Sequence, residues 1–261
     1  MSIHFLIHGP CWGVTRSLIA YINQHYPSSK VVFSTWLPAI FNLRYECVVN
    51  NFPVDNCDNI NPNRFLVAIQ NGLTKFDDND IVVRLRSDII IDNPDLEYQY
   101  IDYLAKYDLR GKYSILSRKV LVGNIYCINP FMSGPTSHPM AYHMSDWWCM
   151  GAVKDLKKVY GVPLIRGGDK KLRFEQYLYL QFILKYFPDL PVPEYDLDTN
   201  PLMNGLSIQS MIDNFIIVDN TVIKFENTKY PQKFTIDNQH LINHKEFKSF
   251  YEQCKHQHLI K

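Results

Sequence analysis

The run Ile81-Val-Val-Arg-Leu-Arg-Ser-Asp-Ile-Ile-Ile91 carries a charge at every second position from Arg84 to Asp88. Side chains of a strand alternate between its faces, so a strand here puts Arg84, Arg86 and Asp88 on one face. Three charges on one face are costly to bury unless they pair or meet a charged ligand. They also stand near the carboxyl end of the run, where open α/β sheets bind ligands. An edge strand with a wet face is the competing reading, and the β-branched content speaks against it.

Four further segments hold candidate chemistry. His8-Gly-Pro-Cys-Trp-Gly-Val-Thr15 offers Gly9, Gly13 and a helix amino terminus to a phosphate or ribose. It is neither a P-loop nor a G-x-G-x-x-G turn, which argues against ordinary kinases and dehydrogenases. Ser34-Thr35-Trp36 ends a strand with two hydroxyls and an indole, which suit a base and ribose or a plain strand end. His143-Met-Ser-Asp-Trp-Trp-Cys-Met-Gly151 sets Asp146 beside Trp147 and Trp148. Rings stack on the apolar face of a sugar, and a carboxylate takes or orients a hydroxyl proton. A capping Asp with Trp residues in the core is the plainer alternative. Glu175 and Gln176 begin a helix, where an acidic residue often serves only as a dipole partner. That dipole would hold Glu175 ionised at low pH, making it a weak base and a good positioning group, whereas two indoles would raise the pKa of Asp146.

The elements that must place these residues read as a β-α-β start: strands over 3–8 and 30–36 around a helix over 15–26. Such units build parallel sheets. Further strands are expected over 45–50, 80–91, 113–117 and 120–127. Helices are expected over 64–73, 96–107, 153–160, 175–186 and 245–257. The polar stretch from Asn50 to Asn63 and the Pro-, Gly- and Ser-rich stretch from Asn129 to His143 read as loops. Phe215 to Phe225 reads as a hairpin turning at Asp219-Asn220. Phe247, Phe250, Tyr251 and Cys254 form an apolar stripe that packs on the domain or, with Lys245, Lys248 and Lys255, anchors it to a membrane surface.

At 261 residues the chain suits one domain, with 1–95 and 96–200 as two halves and 201–261 as an extension. A net charge of +1 gives no general field for nucleic acid. The first ten residues lack the pattern of a signal peptide, and no apolar run spans a bilayer, so a cytoplasmic protein is expected. Six cysteines without a C-x-x-C pair fit reduced thiols rather than a zinc site.

Taken in order, the Gly9–Thr15 turn, Phe33-Ser-Thr-Trp36, Asn61-Pro-Asn-Arg64, Gly72-Leu73, Arg84-Leu-Arg-Ser-Asp88, Ser145-Asp-Trp147 with Gly151, and Glu175-Gln-Tyr177 resemble the WavE-type lipopolysaccharide-synthesis family. The resemblance runs from about residue 5 to 180 and fades after 200. It implies a GT-A-like, Rossmann-like α/β fold, with a mostly parallel central sheet, helices on both faces, and a small C-terminal hairpin and helix. It implies a glycosyltransferase moving a sugar from a nucleotide-sugar donor to a bacterial surface-glycan acceptor, lipopolysaccharide or capsule. His8, Gly9, Ser34, Thr35, Trp36, Arg64, Arg84, Arg86 and Asp88 would then hold the donor. Trp147, Trp148 and Gln176 would meet the acceptor, with Asp146 as base and Glu175 orienting a substrate. Arg86-Ser-Asp88 stands where the fold usually has Asp-x-Asp. Asp88 could recruit Mg²⁺ or Mn²⁺, or Arg86 could neutralise the diphosphate without a metal. The expected setting is the cytoplasm, at the inner membrane face, beside lipid-linked acceptors and other glycan-assembly enzymes. The alternative is a non-catalytic subunit of such an assembly. A nucleotidyltransferase would want a basic, Gly-rich phosphate loop that the first turn lacks.

Overall fold

Ile3, Phe5, Leu6 and Ile7 leave no wet face on the first strand, as befits the middle of a parallel sheet. The computed structural model of the chain describes residues 2–53, 62–125, 127–132, 138–166, 171–227 and 241–259. In it β1 (Ile3–His8) is joined through α1 (Gly13–His25) to β2 (Val31–Thr35) and β3 (Glu46–Val49). Then come α2 (Pro62–Leu73), β4 (Ile81–Arg86) and, further on, α3 (Leu96–Lys106). The central sheet has the order β3-β2-β1-β4-β7-β6-β8, completed by β6 (Val120–Gly123), β7 (Trp148–Ala152) and β8 (Phe215–Val218). Six strands run parallel, and β7 alone runs against its neighbours β4 and β6.

Helices cover both faces. Gly72 lets α2 press on Leu6, since a Cβ there would fall 2.3 Å from Leu6 Cδ1. On the opposite face Tyr26, just beyond α1, meets the Phe5 ring at 5.0 Å. α4 (Val153–Tyr160) lies over the same face as α2, and α5 (Phe174–Leu184) packs beside it. One cluster of buried apolar side chains runs from Ile3 to Cys254.

The structure corrects several sequence expectations. The strand over 80–91 breaks at Ser87-Asp88 into β4 and β5 (Ile89–Ile91), and β5 pairs antiparallel with β9 (Phe225–Asn227). Ser87 ends the ladder: its N–H donates to His8 O, its hydroxyl to Pro10 O, and its carbonyl accepts from Thr15 Oγ1. No strand forms over 113–117. The backbone N–H groups of Tyr113, Ile115 and Ser117 donate instead to the side chains of Asp213, Asn214 and Asp155. The strand from Val120 stops at Gly123. Residues 215–225 make no hairpin: β8 and β9 join different sheets, and the short α7 (Asn220–Ile223) intervenes. Two further elements were not anticipated, β7 and α6 (Pro201–Asn214). Asn200 caps α6 by accepting from Met203 N, with Pro201 in the first turn.

The expected loops over 50–63 and 129–143 lie partly outside the described residues. In α8 (His244–Leu259), Phe247, Tyr251 and Cys254 are buried, and Tyr107 meets the Phe247 and Tyr251 rings at 5.3 and 5.1 Å. The stripe therefore packs on the domain. Among the described residues no helix is long and apolar enough to cross a membrane.

Candidate functional site

Chain connections leave β1 in opposite directions, to β2 on one side and, later, to β4 on the other. Such a switch point opens a crevice at the carboxyl ends of the strands. His8, the last residue of β1, is in register with both Ser34 and Arg86. Gly9 follows with φ +123°, and its N–H donates to Ser34 O at 3.1 Å. A Cβ on Gly9 would stand 2.6 Å from Ser87 Oγ, so the turn needs glycine for both conformation and space. Gly9→Ala should lower stability by about 2 kcal/mol, read as a fall in the urea midpoint at unchanged slope. An unchanged midpoint would show that the turn is not strained.

His8 is buried, and burial, then the charges of Arg84 and Arg86, push its pKa well below the usual value. It is neutral, and because arginine only donates, Nε2 must accept from Arg84 Nη1 at 3.2 Å. Arg84 is itself fully buried. Its Nη2 donates to Tyr160 OH at 2.7 Å, and its Nη1 also donates to the backbone carbonyl of Asp146. Arg84, expected at the donor, is placed away from solvent, because its face of β4 lies under α2 and α4. Phe65 and Tyr160 from those helices sit 5.4 and 5.1 Å from its guanidinium carbon.

Arg86 is the partly open cation of the crevice, its side chain 26% exposed. Its Nε and Nη2 donate to the two oxygens of Asp88 at 3.0 and 2.7 Å, a bidentate fork. Trp147 supports the guanidinium from one side at 4.5 Å. Both Asp88 oxygens are thus engaged. Among the described residues no group of three His, Cys, Asp or Glu could hold a metal ion. As arranged, this donor set does not fit Mg²⁺ or Mn²⁺, which want several oxygen ligands.

The reversed direction of β7 brings its amino end to the edge where β4 ends, with Trp148 opposite Leu85. Asp146 and Trp147, just before β7, thereby reach the crevice. Asp146 is 7% exposed, and its Oδ1 has no hydrogen-bond partner among the described residues. Burial first, then the charge of Glu175, raise its pKa to about 6, against the opposing pull of Arg86, Arg84 and His143. Glu175 opens α5, with His143 Nε2 at 3.8 Å from its Oε2. The helix dipole was expected to lower its pKa. Burial instead raises it and outweighs the backbone hydrogen bond and the charges of Arg173 and Arg86.

The other expected residues divide. Trp148 and Gln176 are buried in the core. The Trp148 indole donates to Asn220 Oδ1 at 3.0 Å, and Gln176 Nε2 donates to the carbonyls of Ala141 and Asp196. Ser34 and Thr35 are buried at the end of β2, and Asn50 Nδ2 donates to Ser34 Oγ and to Thr35 O. Trp36 is half-buried edge-on to Phe52, and Arg64 lies 4.5 Å over the Phe52 ring. Three residues at this edge were not singled out from sequence: exposed Trp12, His143 and Asn50. The first two lie in segments already flagged, so rings and imidazoles within flagged segments were the available signal.

A mostly parallel sheet with helices on both faces, and with charged and aromatic residues gathered at its switch point, defines a doubly wound α/β protein. The chain belongs to the WavE lipopolysaccharide-synthesis family, whose sequence profile matches residues 3–258. The match continues through α8, well past the point where the sequence resemblance was expected to fade. Among curated proteins none matches. Solved structures with loose similarity include a glycosyltransferase involved in glycosylation of the major capsid of PBCV-1. Its TM-score is 0.40 at 11% identity, with 97% of this chain and 100% of that one covered. The galactosyltransferase LgtC, with donor and acceptor sugar analogs, scores 0.37 at 8% identity over 96% of each chain. A Bacillus anthracis protein assigned as a glucose-1-phosphate thymidylyltransferase, bound to sucrose, scores 0.38 at 10% identity over 71% and 84%. At these scores no site residue carries across.

Proposed function

We propose that the protein is a glycosyltransferase that moves a sugar from a nucleoside-diphosphate donor to a hydroxyl of a bacterial surface glycan. The observation that carries this reading is Asp146: a buried carboxyl at the sheet's carboxyl edge, with one oxygen unpartnered and a pKa raised to about 6. A base poised near neutrality takes a hydroxyl proton well. The family's role in lipopolysaccharide synthesis supports a glycan acceptor.

In this reading the acceptor hydroxyl gives its proton to the Asp146 carboxylate as its oxygen bonds the anomeric carbon. The bond from that carbon to the diphosphate breaks, and the nucleoside diphosphate leaves with the electron pair. Arg86 stands at the edge to stabilise that charge. Trp12, Trp36, Phe52 and Arg64 offer faces for the nucleoside, and Glu175 orients the acceptor or the donor sugar. The enzyme works in the cytoplasm at the inner membrane surface, on a lipid-linked acceptor.

The test is a thermal-shift and hydrolysis screen against nucleoside diphosphates and their sugars. Binding raises apparent stability by mass action, and slow release of nucleoside diphosphate reports catalysis. No shift and no release across the panel would overturn the enzyme reading in favour of a non-catalytic assembly subunit. The fork on Asp88 motivates a metal prediction: excess chelator should leave most of the activity. Complete loss, restored by Mn²⁺ or Mg²⁺, would show that Asp88 leaves Arg86 for a metal.

A further inference from the structure

We propose that Arg84 is a positioning residue, whose buried guanidinium grips the backbone of Asp146 and fixes where that carboxylate stands. Arg84 cannot meet a substrate, because it is 0% exposed and lies between Phe65 and Tyr160. Its donors go to three elements: His8 of β1, Tyr160 of α4 and the Asp146 carbonyl just before β7. Asp146 lies beyond the ladder, whose last pair is Leu85 with Trp148. The neighbouring N–H groups of Ser145 and Trp147 donate to side chains, Cys127 Sγ at 3.4 Å and Ser145 Oγ at 3.3 Å. Arg84 is thus a charged anchor that ties this segment to β1 and α4.

Stability alone does not explain the residue. A buried cation with no bonded carboxylate carries a desolvation penalty, and an apolar side chain of like volume often packs as well or better. Its charge also faces Asp146, together with Arg86 from β4, His143 from the preceding loop and Glu175 from α5. Around Arg84 itself stand His8, Tyr160 and Cys149 of β7.

The kinetic half of the proposal rests on Asp146 being the base, and the spectroscopic half does not. The experiment compares Arg84→Met and Arg84→Lys with the unaltered protein. The Asp146 carboxyl is followed by carbon NMR, its signal assigned by its loss in Asp146→Asn. In Arg84→Met the Asp146 midpoint should rise by about one pH unit, since a cation is removed. Affinity for UDP and GDP should hold within about twofold, while kcat on their sugars falls roughly 10- to 100-fold. Arg84→Lys keeps the charge and loses the planar fork, so the midpoint should stay while kcat falls. Lost nucleotide affinity at unchanged kcat and midpoint would make Arg84 a donor ligand and overturn the proposal, as would no change in any reading. If Arg84→Met does not fold, the split between kcat and affinity in Arg84→Lys decides. If Asp146→Asn transfers normally, the base assignment fails, and the midpoint shift still tests the placement.

Discussion

Replacing Asp146 by asparagine should make the protein slower and more stable at once. The rate should fall by about 10²- to 10⁴-fold, the range for removing a general base, while donor affinity holds. The stability gain follows from the raised pKa. An unfolded aspartate ionises near 3.8, whereas Asp146 in the folded protein holds its proton to about 6. Below about pH 3 both states are protonated and there is no penalty. Between about pH 3 and 6 the unfolded state loses its proton first, so folded stability declines, and above 6 the deficit is constant. The displacement corresponds to at most about 3 kcal/mol. Asparagine keeps the shape and never ionises, so at pH 7.5 its Tm should rise by several degrees, with the rise mostly gone at pH 4. A Tm that falls at pH 7.5 would mean that the carboxylate is held by favourable contacts. Glu175→Gln should chiefly weaken sugar binding, and the reverse pattern would exchange the two roles.

The second large effect is expected at Arg86. Arg86→Ala should cost at least about 10²-fold in transfer, the scale of losing a charge-stabilising donor. It should also lower Tm, because Asp88, its side chain 4% exposed, keeps a buried charge without its fork. Adding Asp88→Asn should recover most of that Tm and none of the activity. Arg86→Lys should not rescue transfer, since an ammonium offers neither two parallel donors nor a flat face to Trp147. Near-normal turnover of Arg86→Ala at saturating donor would remove the crevice from the mechanism.

The legible parts of the fold were those whose signal is local. Apolar runs gave β1, β2 and β4, and the glycines beside His8 gave the first turn. Strand alternation rightly put Arg84 and Arg86 on one face. It could not say that α2 and α4 roof that face over Arg84 and leave Arg86 at the rim, because that depends on Phe65 and Tyr160. Trp148-Cys-Met-Gly-Ala152 lacks the β-branched residues that mark a strand, and it forms β7 because two partners wait on either side. Tyr113 to Ser117 has strand-like residues, yet its donors are claimed by side chains about a hundred positions away. At Glu175 the local rule, a dipole favouring the anion, yielded to burial, which only the assembled fold supplies.

The reversed strand also dictates an order of assembly. Until β7 is in place, β4 offers its Ile81-Val-Val backbone as an open edge, a ready template for pairing with another chain. Asp146 lies 62 positions after Arg84, so at roughly 5–20 residues per second the ribosome leaves that edge bare for several seconds. A fragment stopping near residue 95 would carry the same bare edge permanently and should precipitate rather than bind nucleotide. The crevice therefore depends on the segment bearing Asp146 standing beside β4, with β6 and β8 added beyond it.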